Sequence, residues 1–196
     1  MADFVVLASG SGSNFEAIAR ALSGGAHRLL ALVSDNPAAH ALVRSERLGV
    51  PSVVVNYGTG RRRAETRLAR LLHSYHPDLI VLAGFMKVLP PHIVEAYPDR
   101  IVNIHPSLLP DYPGLHSIER SYADAGGKMG ITIHIVDRGV DTGPVLARFV
   151  ADRTGSPSLE EMERRIHELE HRHYPEIVGE QLDAIDRLKA RRREAG

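Results

Sequence analysis

Asn103, His105 and Asp141 supply an amide, an imidazole and a carboxylate, a set suited to acid–base chemistry at a carbonyl. Asn103-Ile104-His105 ends an apolar run. Residues two apart in a strand share a face, so the amide and imidazole project together. Ligands of open α/β sheets bind at that C-terminal strand edge. Histidine titrates near neutrality, which makes His105 a candidate general acid or base. The Asn103 amide can donate to a developing oxyanion. Asp141 lies in the irregular stretch Asp137-Arg138-Gly139-Val140-Asp141-Thr142-Gly143-Pro144, a loop able to carry a carboxylate over the cleft. There it would stabilise an imidazolium. Blander readings stand beside this one, since the chain has 11 His and most must be non-catalytic. His134, inside an apolar strand, also reads as a hydrogen-bonded core residue. His116, after Pro113-Gly114, also reads as a tie for its loop.

Two other motifs carry chemistry. Ser9-Gly10-Ser11-Gly12-Ser13 lies between a first apolar run and a helix. Such a turn exposes backbone N–H groups and the positive helix end, an anion site. Ser11, Ser13 and Asn14 add side-chain donors. A tight turn without a ligand is the alternative. A dinucleotide fingerprint fails because Phe15 stands where the third glycine belongs. A P-loop fails because no Gly-Lys-Ser/Thr follows. His167-Glu168-Leu169-Glu170-His171 matches H-E-x-x-H on a helix, which in a zinc peptidase places Glu168 as base. That reading needs a third ligand, with only Glu176, Glu180, Asp183, Asp186 and Glu194 following as acidic candidates. A solvated charged helix face explains the same residues.

The elements that position these groups follow from hydrophobic patterning. Phe4–Ala8, Leu29–Val33, Ser52–Val55, Leu79–Ala83 and Arg100–Ile104 read as strands. Their runs are largely continuous rather than alternating, as for strands buried on both faces. Helices are expected at Asn14–Leu22, Ala39–Leu48, Arg61–Tyr75 and Pro91–Tyr97. This alternation implies a parallel sheet with helices on both sides. After the proline-rich loop Pro106–Gly114, a helix is expected at Ser117–Ala125. Ile131–Val136 and Val145–Val150 are strands joined too tightly for a crossover, hence an antiparallel pair. A final helix runs Leu159–Arg193, with Pro175 as a breakpoint, Ser158 as N-cap and Glu161 at capping-box spacing. Leu109-Pro110 is a candidate cis bond.

Length and charge narrow the function. The 196 residues suit one domain with a full core. Lys plus Arg equals 24 and Asp plus Glu equals 24, which gives no electrostatic reason to expect nucleic acid or membrane as partner. The absence of Cys excludes disulfides, thiolate catalysis and Cys-based zinc sites. No signal-like start and no apolar run long enough to span a bilayer are visible, so a cytoplasmic protein is expected.

Several words in this chain occur together in a known family. They are Ser9-Gly10-Ser11-Gly12-Ser13-Asn14, Leu82-Ala83-Gly84-Phe85-Met86, Asn103-Ile104-His105-Pro106-Ser107-Leu108-Leu109-Pro110, Tyr112-Pro113-Gly114-Leu115-His116 and Val140-Asp141-Thr142-Gly143-Pro144-Val145. In this order and spacing the chain closely resembles the folate-dependent phosphoribosylglycinamide formyltransferases, from about residue 3 to 176. The resemblance implies a three-layer, Rossmann-like formyltransferase fold over 1–196. Its mostly parallel sheet would end in an antiparallel strand pair, with a phosphate-binding half, 1–102, and a catalytic, folate-binding half, 103–196.

The implied reaction moves a formyl group from 10-formyltetrahydrofolate, a co-substrate, to the amine of glycinamide ribonucleotide. No metal is required, and the enzyme would be a monomer or homodimer. Carried over, Asn103, His105 and Asp141 are catalytic. Gly12, Ser13 and Asn14 hold the substrate phosphate, and Glu170 meets its glycinamide end. Met86, Lys87, Val88 and Leu89 border the pterin pocket, Asn103 also contacts folate, and Asp137, Arg138, Gly139, Val140 and Asp141 close over it. Arg61 reaches the glutamate tail. Lys87 stands where Arg is common. Ile118 stands where many members have a second His, so no polar contact is expected there. Within the superfamily, a formyltetrahydrofolate hydrolase is the nearer alternative.

Overall fold

The computed structural model describes residues 1–124 and 126–194, the side chain of Glu194 excepted. In chain order the elements are β1 (Asp3–Leu7), α1 (Ser13–Ala21), β2 (Arg28–Ser34), α2 (His40–Arg47), β3 (Ser52–Val54), a 3-10 turn (Tyr57–Thr59), α3 (Arg61–Tyr75), β4 (Leu79–Leu82) and α4 (Pro91–Ala96). There follow β5 (Ile101–His105), α5 (Ser117–Ala123), β6 (Gly130–Ile135), β7 (Val145–Val150) and α6 (Leu159–Glu194).

The sheet has seven strands in the order β3-β2-β1-β4-β5-β6-β7. The first five in this order pair in parallel. β6 runs antiparallel to both β5 and β7, so the reversal expected between the last two strands also governs the β5 pairing. The continuous apolar runs have a direct physical reading. Successive side chains point to opposite faces, and each face meets its own helical layer. Phe4, Val6 and Ala8 enter one core with Phe15 and Ile18 of α1 and Met162, Tyr174 and Val178 of α6. Val5 and Leu7 enter the other with Leu68 and Leu72 of α3 and Ile93 of α4. β4 divides in the same way, Val81 to the first core and Ile80 to the second.

Element boundaries shift by a residue or two where caps and turns decide them. The 3-10 turn at Tyr57–Thr59 was not anticipated; Asn56 Oδ1 closes it by accepting from the Gly58 N–H at 2.7 Å. α5 ends at Ala123, and the expected terminus, Ala125, lies outside the described residues. Ser158 caps α6 as expected, its Oγ 3.2 Å from the Glu161 amide nitrogen. Glu161 does not complete the capping box, because its carboxylate is taken by Arg164 and Arg165. α6 runs unbroken through Pro175. Proline removes one intrahelical bond, but Tyr174, Val178 and Leu182 are fully buried here and hold both halves to one line. The Tyr174 hydroxyl reinforces that seat, 2.9 Å from the Leu82 carbonyl and 3.1 Å from that of Val102. The Leu109-Pro110 bond is cis, as expected. No helix among the described residues is long and apolar enough to cross a membrane.

Candidate active site

The strand order reverses between β1 and β4, and in such sheets the crevice outside that point receives ligands. A cavity of about 560 Å³ opens there. Its walls come from the β1–α1 turn, the loop Gly84–Leu89 after β4, the end of β5, the loop Asp137–Asp141 and α6. Ser9 joins the first two walls. Its N–H donates to the Gly84 carbonyl at 3.1 Å, and its hydroxyl accepts from the Met86 N–H at 2.8 Å.

The β1–α1 turn places Gly12 at φ 73°, in the left-handed region, as the residue before α1. A Cβ there would lie 2.6 Å from both Cα and Cβ of Ala41, so glycine is required for conformation and for space. The N–H groups opening α1 face a cavity lined by Gly10, Ser11, Gly12, Ser13 and Asn14. Arg44 steadies the turn, its Nε 2.9 Å from the Ser11 carbonyl and a further nitrogen on Glu16.

Asn14 Nδ2 donates to Glu170 Oε2 at 3.0 Å, linking the turn to α6. Glu170 is buried, and His167 Nδ1 lies 3.0 Å from the same oxygen. That hydrogen bond raises the His167 pKa against the lowering effect of burial. Burial lowers the pKa of His171; Glu170 opposes the shift, and the charges of His167 and Arg44 add to it. Asn14 Oδ1 is buried without a hydrogen-bond partner among the described residues. A polar ligand group entering this corner would relieve that cost.

At the end of β5 the three expected groups come together. His105 is buried, with Nε2 2.9 Å from the Tyr112 carbonyl. A carbonyl only accepts, so Nε2 carries hydrogen and donates to it. Nδ1 lies 3.3 Å from Asp141 Oδ2. Asp141 sits at φ 56° in its loop and accepts from the Gly114 N–H at 2.9 Å. Burial pushes the Asp141 carboxyl up. Contacts from His134, the Gly114 N–H and His105 together outweigh burial and hold it below the ordinary carboxylate value. Asn103 Nδ2 lies 3.2 Å from His134 Nε2, and His134 Nδ1 donates to the Ile135 carbonyl at 2.9 Å. With Nδ1 donating, Nε2 accepts one amide hydrogen, and the second stays available for the cavity. His134 Nε2 is 3.6 Å from Asp141 Oδ1, longer than a hydrogen bond. His134 is therefore both a buried core residue and a wall of the site.

Not every expected residue reaches the cavity. Met86, Lys87, Val88, Leu89, Asp137, Gly139 and Val140 line it. Arg138 is drawn to Glu95 at 2.7 Å and Arg61 to Glu65 at 2.7 Å, and neither forms the wall. Ile118 packs against the apolar core. His116 is exposed and pairs with Glu119. The sequence reads His134 only as a core residue and His167 only as part of the H-E-x-x-H word, yet both line the cavity. His134 faces Asn103 in the β5–β6 register, which only the strand pairing reveals. His167 stands three positions before Glu170, a spacing that puts both on one helix face. The H-E-x-x-H reading finds no support, because among the described residues no group of three His, Cys, Asp or Glu could hold a metal ion.

The rim is largely apolar. Met86, Val88, Leu115 and Val140 are large hydrophobic side chains left exposed, and all four border the cavity. The cavity thus joins a glycine–serine turn at a helix start, an acid–base cluster and an apolar shelf.

Comparison with known proteins agrees with this arrangement. The family described as formyl transferase matches residues 2–178. Phosphoribosylglycinamide formyltransferase of Bacillus subtilis (strain 168) is 38% identical over 192 residues, covering 95% of this chain and 98% of the other. The crystal structure of glycinamide ribonucleotide transformylase 1 from Geobacillus kaustophilus superposes with a TM-score of 0.88 at 39% identity, covering 93% of this chain and 99% of that one. The phosphoribosylglycinamide formyltransferase structure from Streptococcus pneumoniae TIGR4 gives 0.86 at 40% identity, over 92% and 99%. With this coverage, identity and likeness of fold, the chain belongs to the formyl transferase family, among its phosphoribosylglycinamide formyltransferases.

Proposed function

We propose that the chain transfers the formyl group of 10-formyltetrahydrofolate to the amine of glycinamide ribonucleotide. The products are formylglycinamide ribonucleotide and tetrahydrofolate, in purine biosynthesis. The observation that carries this reading is the cavity itself. One continuous space runs from the anion-binding turn at Gly12–Asn14, past Asn103, His105 and Asp141, to the apolar shelf at Met86, Val88 and Val140.

The phosphate of the acceptor lies on the N–H groups of Gly12, Ser13 and Asn14, where a helix start favours an anion. Glu170 receives the glycinamide end. The pterin of the donor lies along Met86, Lys87, Val88 and Leu89, under the loop Asp137–Asp141, and its glutamate tail leaves toward Arg61. Arg61 and Arg138 would exchange their present carboxylate partners for the ligand. The free amine attacks the formyl carbon. The resulting oxyanion accepts one hydrogen bond from Asn103 and one from a proton at His105 Nδ1, the nitrogen that otherwise faces Asp141, while Nε2 stays on the Tyr112 carbonyl. Asp141, held ionised by its surroundings, favours a proton on the His105 side that faces it. The amine then gives up a proton, N10 of the folate gains one, and the carbon–N10 bond breaks. The balance needs no metal and no covalent enzyme intermediate. The enzyme would act in the cytoplasm as one catalytic unit over 1–196, as a monomer or a homodimer.

Substitution of the three central residues tests these roles. Asn103→Ala removes one oxyanion donor, which lowers kcat by ~10²–10³-fold. His105→Ala and Asp141→Asn remove acid–base help of ~10²–10⁴-fold. Near-normal formyl transfer by any of the three would refute its assignment.

A further inference from the structure

A buried charge that the proposed reaction does not use lies behind the donor side of the cavity. Asp35 follows β2, and its side chain is only 6% exposed. Oδ1 is buried with no hydrogen-bond partner among the described residues, and Oδ2 lies 3.5 Å from Lys87 Nζ. Asp35 is not needed to close its own turn. Ser34 Oγ and Asn36 supply those bonds, from Asn36 N to Ser34 Oγ at 3.2 Å and from Ala38 N to Asn36 Oδ1 at 2.9 Å. Lys87 also stands 5.7 Å from the ring centre of Tyr57, in the 3-10 turn after β3. The Tyr57 hydroxyl is buried without a partner among the described residues. Burial pushes its pKa up to about 12, with the negative charges of Glu65 and Asp35 adding and Arg61 opposing.

A buried carboxylate without a nearby cation is costly, so Asp35 constrains where the Lys87 ammonium can sit. Lys87 is flanked in sequence by Met86 and Val88, both exposed on the apolar shelf. Tethering its ammonium limits how far the backbone between Met86 and Val88 can shift. The same loop is pinned at its start by Ser9, through Gly84 and Met86. We propose that Asp35 and Tyr57, acting through the Lys87 side chain, are positioning residues for the donor-binding loop Gly84–Leu89. This rests on the reading that the loop borders the folate donor. It assigns a separate role to the side chain of Lys87, which points to Asp35 and the Tyr57 ring.

The test is steady-state kinetics with both substrates varied, on the wild-type chain, Lys87→Met, Asp35→Asn, their double variant and Lys87→Arg. Each neutral single variant strands one member of the pair and raises donor KM about tenfold, while acceptor KM stays within about twofold and kcat within about threefold. The double variant removes both charges, so its donor KM rises by clearly less than the product of the two single effects. Lys87→Arg keeps a cation in reach and holds donor KM within about threefold. Unchanged donor KM in both single variants, or a double variant equal to that product, overturns the proposal. A wild-type chain with no formyl transfer at any donor concentration overturns instead the reading on which it rests.

Discussion

Gly12→Ala isolates the anion-binding turn. Two independent costs follow from the structure. The residue sits at φ 73°, a conformation that costs a non-glycine residue roughly 1–2 kcal/mol. The added Cβ also falls 2.6 Å from two carbon atoms of Ala41. One is backbone, which cannot rotate away, and forcing an extra methyl into such a contact costs typically ~1–3 kcal/mol. Together they amount to about 2–5 kcal/mol, if α2 and the turn do not separate first. For a chain of this length that lowers the melting temperature by roughly 4–20 °C. If the turn does separate from α2, strain is exchanged for displaced N–H groups, and acceptor KM rises instead. Urea unfolding and acceptor KM, measured together, capture both routes. Gly10→Ala is the stability control, because a Cβ at Gly10 meets nothing within 4 Å and no positive φ is involved. A Gly12→Ala protein with wild-type stability and wild-type acceptor KM would refute the steric reasoning.

Three further outcomes are expected. Tyr174→Phe leaves the Leu82 and Val102 carbonyls without the hydroxyl that lies 2.9 and 3.1 Å from them, a loss of about 1–3 kcal/mol in urea unfolding. Asp141 has a depressed folded pKa, so its stabilising contribution is present above the ordinary value of 3.8 and is lost as pH falls through the depressed value. The stability difference between wild type and Asp141→Asn therefore persists across neutral pH and closes only below that point; closure near neutrality in a pH series of unfolding curves would contradict the assignment. Prolonged dialysis against a strong chelator leaves turnover unchanged, and a loss restored by zinc would revive the His167/His171 metal reading.

Much of the frame was legible because its physics is local. β1 and β4, buried on both faces, have nearly uninterrupted apolar sequence, and that pattern together with the alternation of strands and helices implies a parallel sheet with two helical layers. The Gly12 turn and the Asn103/His105 pair were legible for a similar reason, since a strand end fixes which side chains project together. What escaped depends on contacts between distant segments. The pairing of β5 with β6 brings His134 to Asn103, and no property of either strand announces that register. The union of Asn14, Glu170 and His167 joins α1 to α6 across more than 150 residues. Pro175 reads as a breaker by local rules, yet tertiary burial of Tyr174 and Val178 carries the helix through it. Asp35 looks like an ordinary turn residue until β2, β3 and β4 place it beside Lys87 and Tyr57.

Amine-directed formyl transfer is tested most directly by following folate absorbance with 10-formyltetrahydrofolate, with and without glycinamide ribonucleotide. The expected result is turnover that begins only when the amine is added, with stoichiometric formylglycinamide ribonucleotide. Equal turnover without the amine would make water the acceptor, and no turnover in either case would contradict formyl transfer altogether.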